Sequence, residues 1–405
     1  MQACNLCQQS SLVQLLQFGD HPIAHHFLSE PLQEEYVHPV ILSFCENCGL
    51  IQLVEPIPPE HFYTEYVCLS SWKHQPHAAR LVELISQLPG ISKNSVITEV
   101  GANDGSFLQL LNAAGYQKIL GIEPAQDAFA VAKQRGLDMR NAYFTSECAR
   151  EISNTYGQSD LLVARQVLEH VTDLQEFGAG LRILLKQGGY ALIEVPNFEF
   201  CLTEPDYSAI WEEHVNYFTV QTIDRFLASS GIQRVHKETA LFSGEALIVI
   251  GRNIGKADSI PLSGYSLQYH DKVMNYRDKW TKFQRKLLNH LQSHRDKGGS
   301  VAVYGAGSRA CSLINYAGVG RLVEFVTDDQ PEKQGKYMPG SRLAILPGAA
   351  LEQYPIDLCL LAVNTENEKK VVDRHPGFRE KGGRFASILP PSDCLLPFWH
   401  DFRQR

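Results

Sequence analysis

No stretch of this chain approaches the roughly 20 consecutive apolar residues that a membrane-spanning helix requires, so a helical membrane protein is excluded. Basic tracts are missing as well. The formal net charge is −8 and no cluster of Lys and Arg forms a nucleic-acid footprint, so neither a membrane nor a nucleic acid is expected as a partner. The opening Met-Gln-Ala-Cys-Asn carries no positively charged region leading into an apolar segment, and a secretory signal is not expected. Low-complexity tracts and short internal repeats are also lacking. Ten cysteines in 405 residues are too few for a disulfide scaffold, and six of them are scattered, mostly in apolar company. That usage fits a reducing, cytoplasmic compartment. What is present is ordinary for a globular protein: 44% hydrophobic and 20% charged residues, in a chain long enough for two or three cores.

The remaining four cysteines form two matching pairs, Cys4-Asn-Leu-Cys7 and Cys45-Glu-Asn-Cys48. Each pair puts two thiolates on a tight knuckle, and two knuckles supply the four soft ligands of a closed tetrahedral Zn²⁺ site. A closed site leaves no place for water, so this metal is expected to hold structure and not to react. A nucleic-acid-reading ribbon uses the same spacing, but the residues between the knuckles are largely apolar and acidic.

From about residue 75 the pattern changes to strand-like and helix-like segments in alternation, which predicts a parallel sheet covered by helices. The segments are His77–Leu88, Ser95–Val100, Gly105–Ala114, Lys118–Ile122, Ala125–Arg135, Leu161–Ala164, Leu174–Leu185 and Ala191–Val195. A linker is expected over 253–261. Beyond it Tyr269, Val273, Tyr276, Trp280, Phe283, Leu287 and Leu291 recur at helical spacing, and Gly298-Gly299 ends the pattern. A second alternating block starts at Ser300-Val-Ala-Val-Tyr and runs through Leu322–Thr327 and Ile356–Val363. The expected fold is α/β throughout its two larger parts: a small zinc-binding domain (1–72), a central Rossmann-like domain (73–255) and a C-terminal Rossmann-like domain (256–405).

Glu99-Val-Gly-Ala-Asn-Asp-Gly-Ser106 follows a strand and opens a helix. Gly101 permits a tight turn, and Gly105 lets backbone approach a ligand closely. A dinucleotide fingerprint would need a glycine where Asn103 stands, and Asp104 would oppose a pyrophosphate. A sulfonium with an amino-acid tail suits the loop better. Glu123 ends the next strand, placed for ribose hydroxyls, and Leu161 to His170 ends another at the same sheet edge. In order and spacing these resemble the S-adenosylmethionine (SAM) motifs of methyltransferases, with Glu99, Gly101, Asn103, Asp104, Gly105, Glu123 and Gln166 as expected cofactor contacts.

Trp211-Glu-Glu-His-Val-Asn-Tyr-Phe218 then concentrates three aromatics, two acids and a histidine after the strand that ends at Val195. A histidine beside an acid can take a proton near neutral pH, with the acid orienting the ring. Over essentially its whole length the chain resembles the nucleotide-sugar C-methyltransferases that methylate keto-deoxysugars, as in tetronitrose biosynthesis. The resemblance rests on the paired cysteines, Glu-Val-Gly-x-Asn-Asp-Gly, Gly-Ile-Glu-Pro, Glu-Glu-His, Val303-Tyr-Gly-Ala-Gly-Ser-Arg309 and Asp328-Asp329. It implies that His214 removes a proton beside a ketone and that the enolate attacks the SAM methyl group. It further implies that Glu213 partners His214, that His170 and Tyr66 line the same pocket, and that Arg309, Asn315 and Asn364 contact a nucleotide-sugar. Two positions depart from the family pattern. Trp211 stands in place of a tyrosine in the catalytic pocket, and Phe242-Ser-Gly244 replaces His-Gly-Gly.

The expectation is therefore a monomeric, cytoplasmic SAM-dependent C-methyltransferase with a structural zinc. Methylation of oxygen or nitrogen on another small molecule is the alternative. A nucleic-acid binder with a vestigial methyltransferase domain is disfavoured by the acidic charge, and a non-catalytic scaffold by the presence of Glu99, Asp104, Glu123 and His214.

Overall fold

The computed structural model describes residues 2–58, 61, 75–255 and 264–402, and three sheets organise them. In the first, β1 (Leu12–Pro22), β2 (Val37–Cys45) and β3 (Ile51–Val54) pair antiparallel. Period-two alternation buries Val40, Leu42 and Phe44 of β2. The fourth strand, β9 (Asn216–Tyr217), comes from the middle of the chain and pairs with β3. The N-terminal part is thus completed by the segment that carries His214.

The second sheet holds β4 (Val96–Val100), β5 (Lys118–Ile122), β6 (Met139–Arg140), β7 (Ser159–Arg165), β8 (Leu185–Pro196), β10 (Ile232–Leu241) and β11 (Glu245–Asn253), in the order β10-β11-β8-β7-β4-β5-β6. Strands β4 to β8 run parallel, and the β10–β11 hairpin adds an antiparallel edge. β4 is buried along Ile97–Val100, as a strand covered on both faces must be. The strand order reverses between β4 and β7, which opens a crevice at their carboxyl ends. Glu99 and Gly101 sit at one lip and Gln166 at the other.

The helix Leu267–Asp296 buries Tyr269, Val273, Tyr276, Trp280, Phe283, Leu287 and Leu291, the seven residues of the expected stripe. After Gly298 (φ +83°) the third sheet begins. It consists of β12 (Val301–Tyr304), β13 (Val326–Thr327), β14 (Ile345–Leu346), β15 (Leu358–Leu361) and β16 (Arg384–Ser387), all parallel, in the order β14-β13-β12-β15-β16. Of the expected Leu322–Thr327 strand only Val326–Thr327 pairs, because a 3₁₀ turn occupies Gly320–Leu322.

Two shared cores bind the parts together. One runs from Leu16 and Phe44 through Tyr207 and the long helix to Val301 and Trp399. The other packs the four cysteines against Phe177, Phe218 and Phe226. Among the described residues no helix is long and apolar enough to cross a membrane.

Candidate active site

Cys4 Sγ lies 3.5 Å from Cys48 Sγ, and Cys7 Sγ 3.6 Å from Cys45 Sγ. All four sulfurs are buried and within 4.8 Å of one another. Thiolates about 2.3 Å from a tetrahedral Zn²⁺ stand about 3.8 Å apart, so the cluster fits the ion and closes around it. The knuckles are gripped from the rest of the chain. Gln175 Nε2 donates to the Leu6 carbonyl at 2.7 Å, Arg225 donates to the Cys48 carbonyl, and the Tyr269 hydroxyl donates to the Gly49 carbonyl at 2.8 Å. Asn5 Nδ2 donates to Asn216 Oδ1 at 3.0 Å, and Asn216 in turn donates to the carbonyls of Leu168 (3.0 Å) and Val171 (2.7 Å). The first zinc knuckle is therefore two hydrogen bonds away from the turn that carries His170.

In the β4/β7 crevice, Glu99 is 2% exposed and its Oε2 has no hydrogen-bond partner. Burial pushes its pKa up to about 8 although Arg165 stands 3.9 Å away. Gly101 and Gly105 have φ of +67° and +77°, and a Cβ would come within 2.4 Å of Val167 Cγ2 at the first and 2.1 Å of Leu137 Cδ1 at the second. No larger residue fits either position. Asn103 shares the left-handed conformation (φ +50°). Glu123, buried at the end of β5, accepts the backbone N–H groups of Asn103 and Ala125, both at 2.8 Å. Each of its carboxylate oxygens keeps a second lone pair for a hydroxyl. A buried acid with one unpartnered oxygen, a glycine cradle and this second acid fit the ammonium tail and ribose of SAM. Asp104 serves differently from the expectation. Its carboxylate accepts from Ser106 N (3.0 Å) and Oγ (2.6 Å) just ahead of the helix Ser106–Ala113, and it pairs with Arg135 at 3.0 Å.

Glu123→Ala removes a charged acceptor from the ribose position. We expect calorimetry to show SAM affinity lowered roughly ten- to a hundredfold, about 1.5–3 kcal/mol, in a chain that still folds. Unchanged affinity would refute the assignment.

A buried network beneath the crevice was not anticipated. Glu194, fully buried, accepts from His77 Nε2 and Arg165 Nε, both at 3.0 Å, and from Gln166 Nε2 at 3.0 Å. Arg165 also lies 4.4 Å over the Phe107 ring. The available signal was a charge inside each of two apolar strands, Leu-Leu-Val-Ala-Arg165 and Ala-Leu-Ile-Glu194. Phe242, one of the departures from the family pattern, packs its ring 4.6 Å from that of His77.

β7 leads directly into the turn Leu168–His170, which meets the 211–218 segment. The His214 ring centroid is 4.8 Å from that of His170 and 4.3 Å from that of Trp211. His170 Nδ1 donates to the Glu213 carbonyl at 2.9 Å, which leaves Nε2 as its acceptor. Burial holds both histidines neutral: His170 falls to about 4, and His214 lies well below the usual imidazole value, helped by His170, His25 and Arg309. His214, His170 and Trp211 thus come together as expected, while Tyr66 lies outside the described residues.

The expected orienting contact from Glu213 to His214 is replaced by another arrangement. The Glu213 carboxyl faces His25 Nε2 at 4.0 Å. The carboxyl with an oxygen within 4.8 Å of ring nitrogens of both His170 and His214 belongs to Glu169, which is 1% exposed and unpartnered at both oxygens. Glu213 sits in a tight turn closed by His214 N donating to the Trp211 carbonyl at 3.0 Å, so neighbours in sequence need not pair. Burial raises the Glu169 pKa well above the carboxylate range, and raises that of Glu213 to about 8 with help from Glu212. Glu169, His170 and His214 are also donors of a type that could hold a divalent ion.

The three expected nucleotide-sugar contacts separate. Arg309 pairs with Asp206 at 2.5 Å and donates to Ser208 Oγ at 3.1 Å, but its buried Nη1 has no partner. Asn364 lies beyond the end of β15, at the start of the helix Thr365–Arg374, beside the switch point between β12 and β15 of the third sheet. Asn315 is committed elsewhere: its amide donates to the Pro339 carbonyl at 3.1 Å and packs on Gly340, so it braces a loop.

Three family models match the chain: a zinc binding domain over residues 4–63, a methyltransferase domain over 71–237 and a C-methyltransferase C-terminal domain over 264–390. The chain is 28% identical over 402 residues to the C-methyltransferase NovU of Streptomyces niveus, covering 96% of this chain and 95% of that one. A SAM-dependent methyltransferase of Mesorhizobium loti is 17% identical over 43% of this chain and 97% of its own, with a TM-score of 0.33. One of Anabaena variabilis is 15% identical over 45% and 86%, with a TM-score of 0.38.

Proposed function

We propose that this S-adenosylmethionine-dependent C-methyltransferase acts on the carbon beside the ketone of a nucleotide-linked keto-deoxysugar, through an enolate formed by His214. The observation that carries the reading is a neutral, half-buried imidazole on the segment packed against the exit of the cofactor strand. When bound, SAM supplies an electrophilic methyl group on a sulfonium. A carbon acid beside a ketone becomes nucleophilic only after losing a proton, which calls for a base placed in a dry site. His214 is that base, and the neighbouring rings of His170 and Trp211 exclude water. Glu213 holds a proton for the ketone oxygen, where negative charge develops. The unpartnered Nη1 of Arg309 and the Asn364 edge are the groups we assign to the nucleotide. NovU is named a C-methyltransferase, and its similarity along nearly the whole chain supports the reaction class. Incubating the protein with SAM and a panel of nucleotide-linked keto-deoxysugars tests the reading. A new C-methyl signal in the product NMR spectrum supports it; an O- or N-methyl product overturns it.

The pH profile follows from the two groups. His214 is neutral across the neutral range, because its pKa is depressed, and Glu213 keeps its proton until about pH 8. We expect kcat/KM to be level through neutrality and to fall as pH rises through about 8, and expect Glu213→Gln to lose that alkaline limb. A profile that rises through pH 8 would mean that the ionised carboxylate is the working form.

A further inference from the structure

We propose that His25, brought in by the N-terminal sheet, is a positioning residue of the methyl-acceptor site: its imidazole sets the Glu213 carboxyl and ties it to the glycine loop of the third sheet. The proposal rests on the reading that Glu213 meets the acceptor's ketone oxygen.

Its placement starts with backbone. β1 ends at Pro22, and two residues later Ala24 N donates to Glu212 Oε1 at 2.6 Å. Glu212 is 3% exposed, so this bond pins the segment inside the protein. The next residue along each chain segment is then His25 on one side and Glu213 on the other, with Nε2 and Oε1 4.0 Å apart. The same Nε2 shares a hydrogen bond of 2.8 Å with Ser308 Oγ, the first residue of the helix Ser308–Ala317 and the neighbour of Arg309. The ring also stands edge-on to Trp211, with centroids 5.4 Å apart and planes at 87°. One imidazole therefore touches a residue of the glycine loop and two residues of the Trp211–His214 segment.

Charge settles what kind of contact this is. Burial, with Lys333, His26 and His170 nearby, pushes the His25 pKa down to about 3. A neutral imidazole opposite an un-ionised carboxyl is a polar contact and not an ion pair, so it orients Glu213 without stripping its proton. An apolar residue at this position would leave the Ser308 hydroxyl and the Glu213 carboxyl without this partner in a buried place.

Two variants separate positioning from packing. His25→Phe keeps the edge contact with Trp211 and removes Nε2, whereas His25→Gln puts an amide near the Nε2 position. Misplacing a group in an assembled site costs up to about a hundredfold. We expect His25→Phe to lower kcat about tenfold or more, with SAM affinity and zinc content unchanged, and His25→Gln to recover most of the loss. Infrared difference spectra supply a readout that needs no acceptor. The protonated carboxyl stretch of Glu213, identified by its loss in Glu213→Gln, should shift in His25→Phe and return in His25→Gln. If His25→Phe does not fold, Ser308→Ala removes the other end of the hydrogen bond and is read in the same two ways. A folded, zinc-loaded variant with wild-type turnover, or with an unmoved carboxyl band, overturns the proposal. Wild-type protein that methylates no nucleotide-linked keto-sugar defeats the substrate reading alone, since the infrared shift is still read.

Discussion

Cys45→Ser is expected to yield a chain without zinc, with a much lower melting temperature and with little methyl transfer. We expect metal analysis of the wild type to give about one equivalent of zinc per chain, because two knuckles make one closed set of four thiolates. Structural zinc sites carry apparent binding free energies of about 10–16 kcal/mol, while a whole domain is stable by only about 5–15 kcal/mol. The loss is not confined to the N-terminal sheet. The cysteines share a core with Phe177, Phe218 and Phe226, and β9 of the catalytic segment is a strand of the zinc-side sheet. Asn5 reaches the His170 turn through Asn216. Activity should therefore fall along with metal content on titration with a chelator, ahead of any change in the SAM crevice itself. Metal-free protein with unchanged melting temperature would refute the structural role.

That coupling was the part of the molecule least legible in the sequence. Periodicity along one chain segment reports which face is buried, and on the long helix it found all seven buried residues from Tyr269 to Leu291. Motif spacing likewise located Gly101, Gly105 and Glu123, because glycine at positive φ and an acid at a strand end are local requirements. Partners across the fold leave no such trace. Pairing Glu213 with His214 rested on adjacency, yet the loop turns Glu213 towards His25, nearly two hundred positions earlier. Asn315 lies on the same helix as Arg309, but on that helix its amide reaches Pro339 and not the switch point. The Glu194–Arg165–His77 network joins two apolar strands, each with one stray charge, to the histidine that starts the helix Ala78–Ser86. The β10–β11 hairpin and the N-terminal strands escaped because their alternation is short or irregular, with bulges in β1 and β10.

His214→Asn is expected to leave SAM binding intact and to lower turnover by about 10²–10⁴-fold, the usual contribution of a positioned general base. The separation is expected because His214 lies on the 211–218 segment, whereas Glu99 belongs to β4 and Gly101, Gly105 and Glu123 to the loops after β4 and β5. Asparagine approximates the polar shape of the ring near Nδ1 but cannot take up a proton at neutral pH, so the packing against Trp211 and His170 is largely retained. Solvent deuterium gives the sharper measurement. With S-adenosylhomocysteine in place of SAM no methyl group is available, and a base that forms the enolate reversibly exchanges the proton at the reacting carbon. Wild type should show that exchange by NMR, and His214→Asn should not. Glu213→Gln should slow the exchange without abolishing it, since it removes the proton held for the oxygen and leaves the base. Methyl transfer by His214→Asn at the wild-type rate would mean that no enolate is formed by this residue. Transfer to oxygen, which proceeds by proximity without carbon deprotonation, would then account better for the site.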